Sequence, residues 1–110
     1  MELFGPVMSV LKFETEDEAI SLANDTEFGL GAGVFTSNVA RAHRVSGAIR
    51  SGIVWVNTYR AISPIAPFGG FRQSGYGREA GINAIYDYTR TKSVWINTGD
   101  EPMANPFVMR

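Results

Sequence analysis

Residues 67–79 read PFGGFRQSGYGRE, and they mix closely spaced glycines with the rings of Phe68, Phe71 and Tyr76. A flexible linker is Gly/Ser-rich and has no use for such rings. Glycine lets the main chain approach a neighbour closely, while aromatic side chains supply a wall, so the pairing predicts a shaped loop lining a pocket. Phe68 is the most pointed candidate: Pro67 restrains the backbone before it and Gly69-Gly70 leave its ring room to project. Glu79 follows a Gly75-Tyr-Gly77-Arg78 turn. It reads either as a carboxylate in a proton path or as an acidic residue at a helix N-terminus. A purely structural loop, with glycines that only make turns, is the competing reading of the whole stretch.

Other chemistries find less support. The chain has no cysteine, which removes a thiol nucleophile, a disulfide scaffold and a cysteine metal site. His43 is the single histidine and sits between Arg41 and Arg44 in a stretch that reads as the solvated face of a helix. With no positioned partner for it, Ser-His-Asp chemistry has no basis. Glu16-Asp17-Glu18 reads as the favourable acidic first turn of a helix rather than a metal site. Gly31-Ala-Gly33 precedes a strand, whereas the dinucleotide fingerprint follows one, so these glycines are read as packing or turn positions.

The elements that must position the loop follow from pattern. At 110 residues and 45% hydrophobic content, the chain has the size of one ordinary domain. Residues 6–13 are apolar and predict a buried strand. Thr15 with Glu18 forms a capping-box pattern opening a helix over 16–24, with Ala19, Ile20 and Ala23 as its packed stripe. A second strand is expected over 31–37. Ser37 or Asn38 then caps a helix running to about Arg50, with Gly52 as its C-terminal glycine. IVWVN at 53–57 predicts a third strand, covered on both faces. The order is β-α-β-α-β, an α/β segment of parallel strands with crossover helices. The special loop spans about 58–78, a short helix is expected over 81–89, a last strand over 91–97, and an extended arm follows from Thr98.

The resemblance is carried by several motifs in one order. Glu2-Leu-Phe-Gly-Pro-Val7, Asn24-Asp-Thr-Glu-Phe-Gly-Leu30, Gly33-Val-Phe-Thr36, Val54-Trp-Val-Asn57, Pro67-Phe-Gly-Gly70, Ser74-Gly75 and Gly77-Arg-Glu79 resemble the C-terminal part of the NAD(P)-dependent aldehyde dehydrogenases. The resemblance runs from Glu2 to about Ile96 and implies roughly the last quarter of a longer enzyme, which fits an opening that looks like domain interior. By position it implies that Glu2 accepts hydrogen bonds from the ribose hydroxyls of the nicotinamide nucleoside. Phe4 and Leu30 lie near the nicotinamide, Phe68 and Ile62 wall the substrate tunnel, and Glu79 takes part in a proton relay. Residues 90–97 correspond to an oligomerisation strand.

The implied organisation is a catalytic-domain portion over 1–89, the oligomerisation strand over 90–97 and a C-terminal arm over 98–110. The implied reaction converts an aldehyde to a carboxylate with NAD or NADP. It needs a nucleophilic cysteine and a nucleotide-binding domain, so the chain alone is expected to be inactive and to bind the cofactor weakly or not at all. A small aldehyde and a homo-oligomeric partner are expected. Nucleic acid and membrane are not, because the net charge is −1, the basic residues are scattered and no apolar run approaches about 20 residues. Without signal-peptide features, a cytoplasmic location is the expectation. The alternative reading is a stand-alone interaction or oligomerisation module derived from the family.

Overall fold

A computed structural model describes residues 2–102 and 105–108. Helix α1 (Glu16–Asn24) begins where the capping pattern predicts: Thr15 Oγ1 accepts from the Glu18 N–H at 3.2 Å. The return bond of the box goes one residue earlier than usual, since Glu18 accepts from the Glu14 N–H at 2.8 Å. Strand β1 (Gly31–Val34) follows, then helix α2 (Val39–Ala48), capped by Asn38, whose side chain accepts from the Arg41 N–H at 2.9 Å. Strand β2 (Ile53–Val56) pairs parallel to β1, with Gly31 opposite Ile53 and Val34 opposite Val56. The result is a β-α-β unit with α1 laid against α2. A 3-10 turn (Arg72–Ser74) lies inside the glycine-rich loop, and a short helix α3 (Ala84–Tyr88) comes after it.

Polar side chains tie the two helices. The Asn24 amide donates to Ala48 O at 3.0 Å and accepts from the Arg50 N–H at 2.8 Å, joining the C-terminal ends of α1 and α2. Near the opposite end, the Glu16 carboxylate accepts from Arg41 Nε and from Arg44 Nε and Nη2, each at 3.0 Å. Hydrogen bonding to Arg44 holds the Glu16 carboxyl below its usual range and raises the Arg44 pKa in turn. The acidic first turn of α1 therefore serves as a clamp between helices as well as a favourable helix start.

Two expected strands are not formed. Residues 6–13 and 91–97 run without regular structure and their apolar side chains face outward, Trp95 being 94% exposed. A strand needs a partner for its backbone N–H and C=O groups, and neither segment meets one among the described residues. Among the described residues the sheet accordingly has two strands rather than the expected three. Helix α3 is also shorter than the expected 81–89, and part of the 98–110 arm (residues 103, 104, 109 and 110) lies outside the described residues.

The packing is correspondingly open. Among the described residues no apolar side chain is fully buried, and the radius of gyration is 23.0 Å. A compact domain of this length has about 13 Å. Gly52 also departs from expectation: α2 ends before it, and the residue marks a close approach instead. A Cβ at Gly52 would lie 1.6 Å from Gly69 O, so only glycine lets the special loop pass over the start of β2.

Candidate functional site

Gly29, just before β1, is the node on which the special loop is hung. Its carbonyl accepts from the Gly52 and Phe71 N–H groups, both at 2.9 Å, and its own N–H donates to Ser74 Oγ at 3.0 Å. The Gln73 N–H donates to Glu27 O at 3.0 Å. Arg72, held at φ +53°, sends Nη1 to Asn24 O and Thr26 O at the end of α1. The 3-10 turn is thus docked on the connection between α1 and β1, and that docking brings Leu30 beside the loop.

The loop is closed on itself by the two residues singled out in it. Phe68 and Glu79 form an antiparallel bridge in which each N–H donates to the other's carbonyl at 2.7 Å. Directly opposed residues of such a pair project their side chains to the same face. Inside the closure, Arg78 Nη1 donates to Gly70 O and Gly77 O at 2.9 Å, and its guanidinium lies 5.4 Å from the centroid of the Phe71 ring. Glu79 therefore does not open a helix, because the bridge places it on a strand-like edge.

Two hollows result. One, of about 370 Å³, is lined by Leu30, Phe68 and Glu79 together with Ser74, Arg78 and Tyr88. The other, of about 470 Å³, is bordered by Glu2, Leu30, Arg50, Gln73 and Ser74. Leu30 and Ser74 belong to both, so the hollows adjoin. The structure brings Leu30, Phe68 and Glu79 into one cleft and sets Glu2 next to it. Phe4 and Ile62 border neither: Phe4 is 94% exposed at φ +45°, and Ile62 is 64% exposed on the loop after β2.

The residue-by-residue reading missed Gly29, Arg72 and Ser74, which hold the loop in place. Their partners lie 23 to 48 positions away along the chain, a separation at which pattern carries no signal. The ring of Phe71, expected to wall the pocket, instead stacks under Arg78.

The sequence profile of the aldehyde dehydrogenase family matches residues 1–94. The chain belongs to the aldehyde dehydrogenase family. Similar relatives include the (Z)-2-((N-methylformamido)methylene)-5-hydroxybutyrolactone dehydrogenase of Acinetobacter baylyi, 62% identical over 99% of this chain and 22% of that protein. A betaine aldehyde dehydrogenase of Brucella anthropi is 56% identical over 89% of this chain and 20% of its own length. The crystal structure of PnpE in complex with nicotinamide adenine dinucleotide superposes with a TM-score of 0.86 at 50% identity, covering 97% of this chain and 22% of PnpE. The chain spans about a fifth of the length of the curated relatives it matches. An aldehyde-oxidising, NAD-dependent family is the context in which the two hollows are to be understood.

Proposed function

We propose that this segment builds one wall of an aldehyde dehydrogenase active site, where an aldehyde is oxidised to a carboxylate with NAD(P)+. The observation that carries the reading is that Leu30 borders both hollows, joining a carboxylate-bearing one at Glu2 to an aromatic one at Phe68 and Glu79. The Glu2 hollow suits a nicotinamide riboside: a carboxylate acceptor faces sugar hydroxyls, and Arg50, Gln73 and Ser74 add hydrogen-bonding groups around it. When bound, NAD(P)+ would supply the hydride acceptor. Phe68 and Ile62 are assigned to the aldehyde tunnel, Phe4 to the nicotinamide side, and Glu79 to moving a proton.

In this reading residues 1–89 complete a catalytic domain, 90–97 form a strand that pairs across a subunit interface, and 98–110 are an arm on a cytoplasmic homo-oligomer. The exposed apolar run at 6–13 becomes the first strand of the β-α-β-α-β order, with its partner supplied by the rest of the enzyme. A cysteine nucleophile and the oxyanion donors would also come from outside these residues, since the chain has no cysteine.

The test is to replace the matching part of PnpE with this segment and follow NADH formation with a panel of aldehydes. Retained activity in the chimera, together with none in the 110-residue chain alone, is the expected result. Aldehyde oxidation by the chain alone, or a folded but inactive chimera, would overturn the assignment.

A further inference from the structure

The two glycines of β1 have an occupant on their open face. Gly31 and Gly33 are two positions apart in a strand and so share one side of the sheet. A Cβ at Gly31 would come within 2.8 Å of Cζ3 of the Trp55 ring, and one at Gly33 within 3.4 Å of Cδ2 of Tyr59. The two rings meet edge to face with centroids 5.0 Å apart. From this platform the Trp55 indole N–H reaches forward and donates to Ala61 O at 2.7 Å.

That bond closes the segment after β2. Its near end is fixed independently by Asn57, at φ +54°, which accepts from the Thr36 N–H at 2.8 Å and donates to Thr36 O at 2.9 Å. Between those two ties lie Thr58, Tyr59 and Arg60, and Arg60 also sits at positive φ, +61°. A run held in the left-handed region at a non-glycine residue persists only where its surroundings hold it. Ile62 is the next residue after the second tie, so the place of its side chain depends on the carbonyl that Trp55 grips.

We propose that Trp55 is a positioning residue for aldehyde selection: its indole, seated over Gly31 and braced by the Tyr59 ring over Gly33, sets through its N–H the loop that carries Ile62. The inference rests on the proposed tunnel role of Ile62. It predicts that selectivity changes without direct contact between Trp55 and the aldehyde.

The experiment uses the PnpE chimera carrying this segment, with Ile62→Ala, Trp55→Phe and Gly31→Ala compared on short and long aldehydes. Trp55→Phe keeps a ring but drops the donor, whereas Gly31→Ala displaces the ring from below. The expected result is that both shift the long-to-short ratio of kcat/KM by about three- to tenfold, mainly through KM, in the range that losing one hydrogen bond allows. If Ile62→Ala shifts the ratio but neither of the others does, the positioning role is overturned and the tunnel role of Ile62 stands. If none of the three shifts it, both fall. An equal loss of kcat for every aldehyde in Trp55→Phe would mark a structural role only and also overturn the proposal. Should Trp55→Phe fail to fold, benzothienylalanine at position 55 keeps the bicyclic shape, removes only the N–H, and is judged by the same ratio.

Discussion

Phe68 and Glu79 are joined backbone to backbone, each N–H donating to the other's carbonyl at 2.7 Å. The bridge converts a glycine-rich stretch into a closed loop, and it is made without either side chain. The side chains are therefore free for other work, and substitutions at the two positions are expected to act separately.

Phe68→Ala in the chimera should raise KM for hydrophobic aldehydes by about ten- to a hundredfold, the scale of removing a large apolar contact worth about 1.5–3 kcal/mol. Glu79→Gln should instead lower kcat, by about tenfold or more if the carboxylate moves a proton, with aldehyde KM little altered. Steady-state kinetics on one aldehyde series separates the two, and a KM effect from Glu79→Gln would place its carboxylate in binding instead.

Gly52→Ala and Gly47→Ala should differ in sign. A Cβ at Gly52 collides with Gly69 O at 1.6 Å, so the loop must move; destabilisation of about 3 kcal/mol and loss of activity are expected. Gly47 lies in α2 with nothing near its would-be Cβ, and alanine there should stabilise by about 0.5–1 kcal/mol. Thermal unfolding of the two chimeric variants side by side checks both signs.

The Glu16 clamp should be sensitive to acid. Because Arg44 and Arg41 hold the Glu16 carboxyl below its unfolded value, the stabilisation is fully present above about pH 4.3 and is lost as pH falls through the lower, folded-state pKa. In Glu16→Gln that acid-linked loss disappears. Amide protection factors at the first turn of α1 and across α2, taken relative to intrinsic exchange from about pH 6 down to about pH 3, should therefore fall in the parent and change less in the variant.

If residues 90–97 form the proposed interface strand, Trp95→Asp should break subunit assembly of the chimera. The indole is 94% exposed here, within an apolar Val94-Trp-Ile96 run that has no partner strand among the described residues. A charge placed in such a run disfavours edge-to-edge pairing. Size-exclusion chromatography with light scattering should report a smaller species, and an unchanged mass would remove residues 90–97 from the interface.

The amino-acid sequence by itself determined the parts of this protein whose causes lie within a few residues. Thr15 and Asn38 cap α1 and α2 through hydrogen bonds three residues long, and the helices begin where those side chains say. The apolar runs at 31–34 and 53–56 pair as parallel strands around the intervening helix, and the order of short motifs carried the family. Phe68 and Glu79 were legible as candidates from their neighbours alone. Only the tertiary structure decided that these two residues pair, that Gly29 holds the loop, and that Gly52 serves a close approach instead of a helix end. It also decided that 6–13 and 91–97 find no partner strand among the described residues. Strand propensity is a statement about side chains, whereas strand formation requires a second backbone to satisfy the first, and that partner is set by distant contacts rather than by local pattern.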